Sequence, residues 1–307
     1  MQRQVKRTTP DGIERMLSPF HVSWEGLENA VLFRDDEDYD VAVKQIAICA
    51  RRTNVLVIIY AVVSNHVHVG LLAAMQKDAD VYAQELKRVY SMWFSRKYHE
   101  KSILHGTDAK AILLDSDWYV RNALAYIPRN ALDNGCSVQE YRWSGFRAMF
   151  REKPEPGHYW VGQMTKRERE RLLHTADNLR QVPWQLDSNG FLIPGSFCDA
   201  AYLEQVFNHA PAFFLKTIGT LNPAEMEEKL IAGPRRKLPD SAFYKEVADM
   251  ASRWFSQDLG ELTLEKKKRL LPYIWRTRKT TVNQLARIFD LTREEVRDAL
   301  RLGKVSG

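Results

Sequence analysis

The chain has 307 residues, of which 45 are Lys or Arg and 39 are Asp or Glu, giving a formal charge of +6. An apolar share of 45% and a charged share of 27% are those of a globular protein, and the length suits two domains with a connector better than one. The basic balance favours an anionic partner such as nucleic acid. The three cysteines, Cys49, Cys136 and Cys198, form no CxxC pair, which argues against a zinc ribbon or a disulfide framework.

The N-terminal MQRQVKRTTPDG is basic but has no apolar h-region, and the longest apolar run, residues 55–63, is far too short to span a bilayer. A cytoplasmic protein with no membrane partner is expected. Residues 19–33 carry a short strand pattern at Phe20, Val22 and Trp24, expected to be the first strand; His21 within it reads as a structural histidine. Residues 37–52 place Tyr39, Val43, Ile46 and Ala50 at helical spacing, with acids early and Arg51-Arg52 late, as the helix dipole favours.

Residues 54–72, NVLVIIYAVVSNHVHVGLL, are the most informative stretch. Their Val and Ile content predicts two adjacent buried strands turned at Ser64-Asn65. Side chains at i and i+2 leave a strand on one face, so His66 and His68 point together while Val67 and Val69 pack on the other. Two imidazoles on one face can share a cation.

Residues 78–100 read as a long helix with an apolar stripe of Val81, Leu86, Val89, Tyr90, Trp93 and Phe94. Its Lys87, Arg88, Arg96 and Lys97 fit either a solvated face or the wall of a groove that follows a DNA backbone. Residues 103–115 suggest a turn and a short strand. Asp115, Ser116 and Asp117 cap the start of WYVRNALAYIPRNAL, a helix on which Tyr126 and Asn130, four residues apart, project together. Pro128 removes one helical N–H, so the helix can either break and restart there or continue, and four residues of separation keep both groups local in each case.

YAVVSNHVHVGL followed by ALAYIPRNAL resembles the single-tyrosine HUH transposases, especially those associated with repetitive extragenic palindromes. The resemblance covers residues 15–150 and includes PFHVSWEG, VLFRDDEDYD and YRWSGFRAMF. It implies an α+β fold with an antiparallel-sheet, ferredoxin-like HUH domain flanked by helices. It also implies that His66 and His68 bind a divalent cation, Mg2+ or Mn2+, that Asn130 completes the metal site, and that Tyr126 is the nucleophile. The implied product is a 5′-phosphotyrosine linkage with a free 3′-hydroxyl, formed on single-stranded hairpin or palindromic DNA. Ser64 stands where the family usually has proline, and the family's proline after the amide is replaced by Pro128 before it.

From residue 151 the character changes. KPEPG and PGHYW mark a boundary, and MTKRERERLLHTADNL, DAAYLEQVFN, PAEMEEKLI and SAFYKEVADMASRWF read as helices of a connector. The final TVNQLARIFDLTREEVRDALRLG places Leu285, Ala286, Phe289, Leu291, Val296, Ala299 and Leu300 at internal positions. Its turn falls at Asp290-Leu291, and Thr292 with Glu295 forms a capping box. It resembles the helix-turn-helix modules of bacterial regulators and transposases, in which Arg293, Glu294 and Arg297 would face a duplex groove. The expected organisation is thus a catalytic domain over 1–155, a helical connector over 156–260 and a helix-turn-helix over 261–307. Trp93, Tyr98, Trp143 and Phe146 are candidate base-stacking platforms. A non-catalytic DNA-binding regulator and a phosphodiesterase that uses water remain alternatives on the same residues.

Overall fold

A computed structural model describes residues 3–24, 31–100, 104, 107, 109–133, 135–221, 240–278 and 280–300. The protein is α+β, with a curled antiparallel sheet and, among the described residues, ten helices that dominate the C-terminal part. Two compact units divide the chain, Met1–Met226 and Glu227–Gly307, whereas the sequence suggests boundaries near 155 and 260.

The first unit opens with a hairpin that the sequence reading missed. Strand β1 (Val5–Thr8) pairs with the first half of β2 (Glu14–Trp24) across a turn at Gly12, whose φ of +83° suits a residue without Cβ. The stretch around Phe20, Val22 and Trp24 is therefore in the second strand, not the first. Helix α1 (Asp36–Arg52) follows, capped by the Asp35 carboxylate accepting from Asp38 N–H. The two expected strands are present as β3 (Leu56–Val63) and β4 (His66–Ala73), with Ser64-Asn65 as the connecting turn. Helix α2 (Gln76–Tyr98), β5 (Ala109–Leu113) and α3 (Asp117–Asp133) complete this part.

The strands lie in the order β5-β2-β4-β3, every pair antiparallel. One face carries Phe20, Val22, Trp24, Tyr60, Val62, Val67, Val69 and Leu71, all buried in one core with α1 and α2. Helix α2 supplies Leu86, Tyr90 and Phe94 to it, each stabilised by about 1.5–3 kcal/mol on burial. The opposite face of the sheet is covered by α3. Helix α3 runs unbroken from Asp117 to Asp133 with Pro128 inside it, so of the two alternatives at the proline the helix continues. Ser116 accepts from Tyr119 N–H and starts the helix.

Both sheet edges are occupied. Along β5, Gln84 and Gln76 of α2 donate to the carbonyls of Ala109 and Ala111 at 3.1 and 2.7 Å. Along β3, Asp199 N–H donates to Val57 O and Val62 N–H donates to Trp143 O. Such cover removes the free hydrogen-bonding rim that invites strand addition.

Residues 135–221 are mixed rather than purely helical. They form a two-stranded sheet of β6 (Tyr159–Trp160) and β7 (Gln185–Leu186) with helices α4 (Lys166–Leu173), α5 (Ala200–Val206) and α6 (Pro211–Thr220). Val161, Leu173, Leu179, Trp184 and Leu186 join the same core as α1 and α2, which is why this stretch belongs to the first unit. The expected helix at PAEMEEKLI and the basic GPRRK lie outside the described residues.

The second unit contains α7 (Asp240–Phe255), α8 (Leu264–Thr277), α9 (Val282–Phe289) and α10 (Arg293–Ala299). Phe243, Val247, Leu270, Leu271, Ile274, Leu285, Phe289 and Val296 form its core. Asp290 ends α9 in the left-handed region at φ 51°, and Thr292 with Glu295 makes the expected capping box. Among the described residues, no helix is long and apolar enough to cross a membrane.

Candidate active site

The polar residues of interest collect on the sheet face under α3. Register explains why: Ser23 of β2 lies opposite His68 of β4, and His21 lies opposite Gly70, so His21, Ser23, His66 and His68 share one face. Gly70 admits the helix. A Cβ there would meet Leu124 Cδ2 at 2.8 Å and Ile127 Cδ1 at 3.1 Å, both on α3. This close approach brings Tyr126 and Asn130 over the histidines.

The His66 and His68 rings meet edge-on with centroids 4.6 Å apart, and the His68 and Tyr126 rings likewise at 5.2 Å. His66 Nδ1 is 2.7 Å from Asn65 Oδ1, which orients that ring. The Asn130 amide donates from Nδ2 to the carbonyls of Tyr126 and Ile127 at 2.9 and 3.1 Å. Its amide oxygen is the atom of this group with the chemistry to ligate a hard cation. Tyr126 and Asn130 are 2% and 3% exposed, and His68 is also buried.

His21, which the sequence reads as structural, is fully buried and touches His68. Its Nε2 is 3.1 Å from His68 Nδ1, one ring donating to the other, with the rings stacked at 5.1 Å. Burial, and then the neighbouring His66, pull the His21 pKa down to about 3. Burial, followed by His66 and His21, holds the His68 pKa well below its usual value. Both rings are therefore neutral near pH 7, the form in which imidazole ligates a metal. The signal for His21 was its strand parity, but parity becomes informative only once β2 is known to pair with β4.

Whether these residues fit a divalent cation is tested at His68. His68 Nε2 is buried with no hydrogen-bond partner, a costly state that a ligated cation would relieve. Among the described residues, no group of three or more His, Cys, Asp or Glu side chains is arranged to hold a metal. The available donor set is thus two imidazoles and an amide, which fits a cation whose remaining positions are filled by water or substrate oxygen.

The basic residues of α2 lie with the other face of the sheet. Lys87 donates to Thr107 O, and Lys97 lies 2.7, 2.9 and 3.0 Å from Asp35, Glu37 and Asp38. Arg88 pairs with Glu85 at 2.8 Å. Arg88 and Arg96 line a groove of about 590 Å³ that also holds Glu170 and Asp177, so its charges are mixed. The structure does not bring these four residues to the histidines. The candidate stacking residues are used in packing: Trp143 stacks on Tyr39, Phe146 stacks on Phe214, and Trp93 and Tyr98 donate to Asp38. In the second unit Arg293 is exposed and Arg297 half-buried on α10.

No family model, no curated protein and no solved structure matches the chain.

Proposed function

We propose that the chain is a metal-dependent single-stranded DNA endonuclease and strand transferase of the single-tyrosine HUH kind. The observation that carries this reading is the meeting of His66, His68 and Tyr126 on one sheet face, with Asn130 one helical turn further along α3. The β-α-β-β-α-β order of β2 to β5 and the strand order β5-β2-β4-β3 support a ferredoxin-like assignment for this part.

In this reading His66, His68 and Asn130 hold Mg2+ or Mn2+, which when bound supplies Lewis-acid polarisation of the scissile phosphate. Tyr126 Oη attacks phosphorus. The Oη–P bond forms, the P–O3′ bond breaks, the phenolic proton passes to solvent and the departing 3′-oxygen takes one up. The 5′-phosphotyrosine conserves the bond energy, so rejoining needs no nucleotide cofactor. His21 orients His68, and the packing of α3 against Gly70 sets Tyr126 over the histidines. The second unit is assigned a helix-turn-helix role, with Arg293 and Arg297 toward duplex DNA and a cytoplasmic site of action.

The test is incubation with Mn2+ and a pool of single-stranded DNA hairpins bearing randomised tails, followed by denaturing electrophoresis. Wild type should give a protein-linked species that Tyr126→Phe lacks. An adduct from the Phe variant would reassign the nucleophile, and cleavage without adduct would mean that water attacks. The burial of Tyr126 favours one competitor, a DNA-binding regulator that never exposes the phenol. Intact DNA binding with no adduct under any condition would identify it.

A further inference from the structure

The first unit holds a second cavity, of about 460 Å³, where the end of α1, the turn after β1, the start of β3 and residues 181–184 and 195–199 come together. None of His21, His66, His68, Tyr126 and Asn130 lines it. Sites for small molecules span about 300–1,000 Å³ and pair apolar walls with a few polar groups. Here Val57, Trp184 and Phe197 supply the walls, and Phe197 is held in place by stacking on Tyr60 with centroids 5.6 Å apart.

The polar groups on these walls are mainly donors. Arg51 is half-buried in the last turn of α1. Its neighbour Arg52 pairs with Glu85 and Asp177 at 2.8 and 2.7 Å. Arg51, by contrast, makes no ion pair among the described residues, and its one hydrogen bond there is a long contact of 3.5 Å from Nη1 to Pro10 O. Arg7 lines the cavity too, but its Nε donates to Asp199 Oδ2 at 2.7 Å, and the other oxygen of Asp199 accepts from Tyr202 N–H at 3.1 Å. Two arginines and one aspartate are the charged residues of the lining, so the charge on Arg51 is left uncancelled. Trp184 is 6% exposed, and no described residue accepts from its indole N–H.

We propose that this cavity binds a small aromatic monoanion, with its charged group on Arg51 and its ring against Trp184 and Phe197. A cation would meet two guanidinium groups. A neutral hydrocarbon would leave Arg51 and the indole N–H unpaired over an apolar wall, whereas an anion satisfies a half-buried guanidinium with charge-assisted hydrogen bonds. The site is independent of the strand-transfer reading. The same chemistry is offered by a free aromatic carboxylate and by one nucleotide of a DNA strand, and the test separates the two.

Full-length protein is titrated calorimetrically with naphthalene-1-carboxylate and with thymidylyl-thymidine, each beside a neutral counterpart, naphthalene-1-carboxamide and the methylphosphonate dinucleotide. At least one anion should bind at one site per chain, about tenfold or more tighter than its neutral counterpart. Arg51→Met should remove that preference and leave the neutral compound's affinity unchanged, and Arg51→Lys should keep most of it. Trp184→Phe keeps a ring but loses the N–H and should weaken the anion about threefold. Should circular dichroism show that Arg51→Met disturbs the fold, Trp184→Phe carries the test in its place. Arg96→Met, in the other groove, should change nothing. Tighter binding of the naphthoate identifies a free carboxylate as the ligand, and tighter binding of the dinucleotide identifies a DNA nucleotide. Absence of binding by both anions up to about 1 mM would overturn the proposal, as would wild-type anion affinity in folded Arg51→Met or, where that variant is disturbed, in Trp184→Phe.

Discussion

The two faces of the sheet are made by the same four strands, yet they are built from different residues. The face under α1 and α2 is lined by Phe20, Val22, Trp24, Tyr60, Val67 and Val69, with the rings of α2 closing over it. The face under α3 carries His21, Ser23, His66 and His68, with Gly70 letting the helix down onto them. Alternation makes this division possible: each strand sends successive side chains to opposite sides, so apolar burial and polar chemistry need not compete for positions. Stability should therefore depend chiefly on one face and reactivity on the other.

The largest expected effect sharpens that contrast. Phe94→Ala removes a fully buried ring from the α2 face and should cost about 3–5 kcal/mol in chemical unfolding. Adduct formed per folded molecule should be unchanged. A loss of adduct beyond the loss of folded protein would show that the faces are coupled.

Acid offers the next test, because it is a way for the α3 face to affect stability. The His21 pKa is pulled from 6.5 to about 3 in the folded state. The unfolded chain then takes up a proton that the folded chain refuses. Stability from neutral His21 is fully present above pH 6.5 and is lost as pH falls toward 3, by on the order of 4 kcal/mol. Denaturant midpoints measured in metal-free buffer from pH 7 to 4 should fall, and His21→Leu should flatten the fall. An unchanged slope in that variant would assign the acid sensitivity to other groups.

His66 and His68 should separate more modestly, a distinction invisible without the structure. His68 is buried and shares a hydrogen bond with His21, so His68→Ala strands His21 Nε2 and should cost about 1–3 kcal/mol. His66 is half-buried at the turn, and His66→Ala should stay within about 1 kcal/mol. Both should weaken Mn2+ binding by titration. Equal stabilities would mean that the His21 contact contributes nothing. The smallest effect belongs to the second unit, where Thr292→Ala removes the cap of α10 and should cost about 1 kcal/mol of that unit's stability. A larger shift in its melting would mean that α10 is central to the unit's fold.

Local pattern was enough to read several elements from the amino-acid order. The Val and Ile run around Ser64-Asn65 determines the β3-β4 pair and the common face of His66 and His68, because strand alternation is set within a few residues. The helical period places Tyr126 and Asn130 together, and Asp290, Thr292 and Glu295 specify the turn between α9 and α10 through their own short-range hydrogen bonds. Tertiary structure decided what depended on distant partners. Pro128 stays inside α3, and residues 156–221 pack into the first unit's core, outcomes fixed by packing against elements far away in the chain. His21 meets His68 only because β2 pairs with β4, a register that no local periodicity can encode.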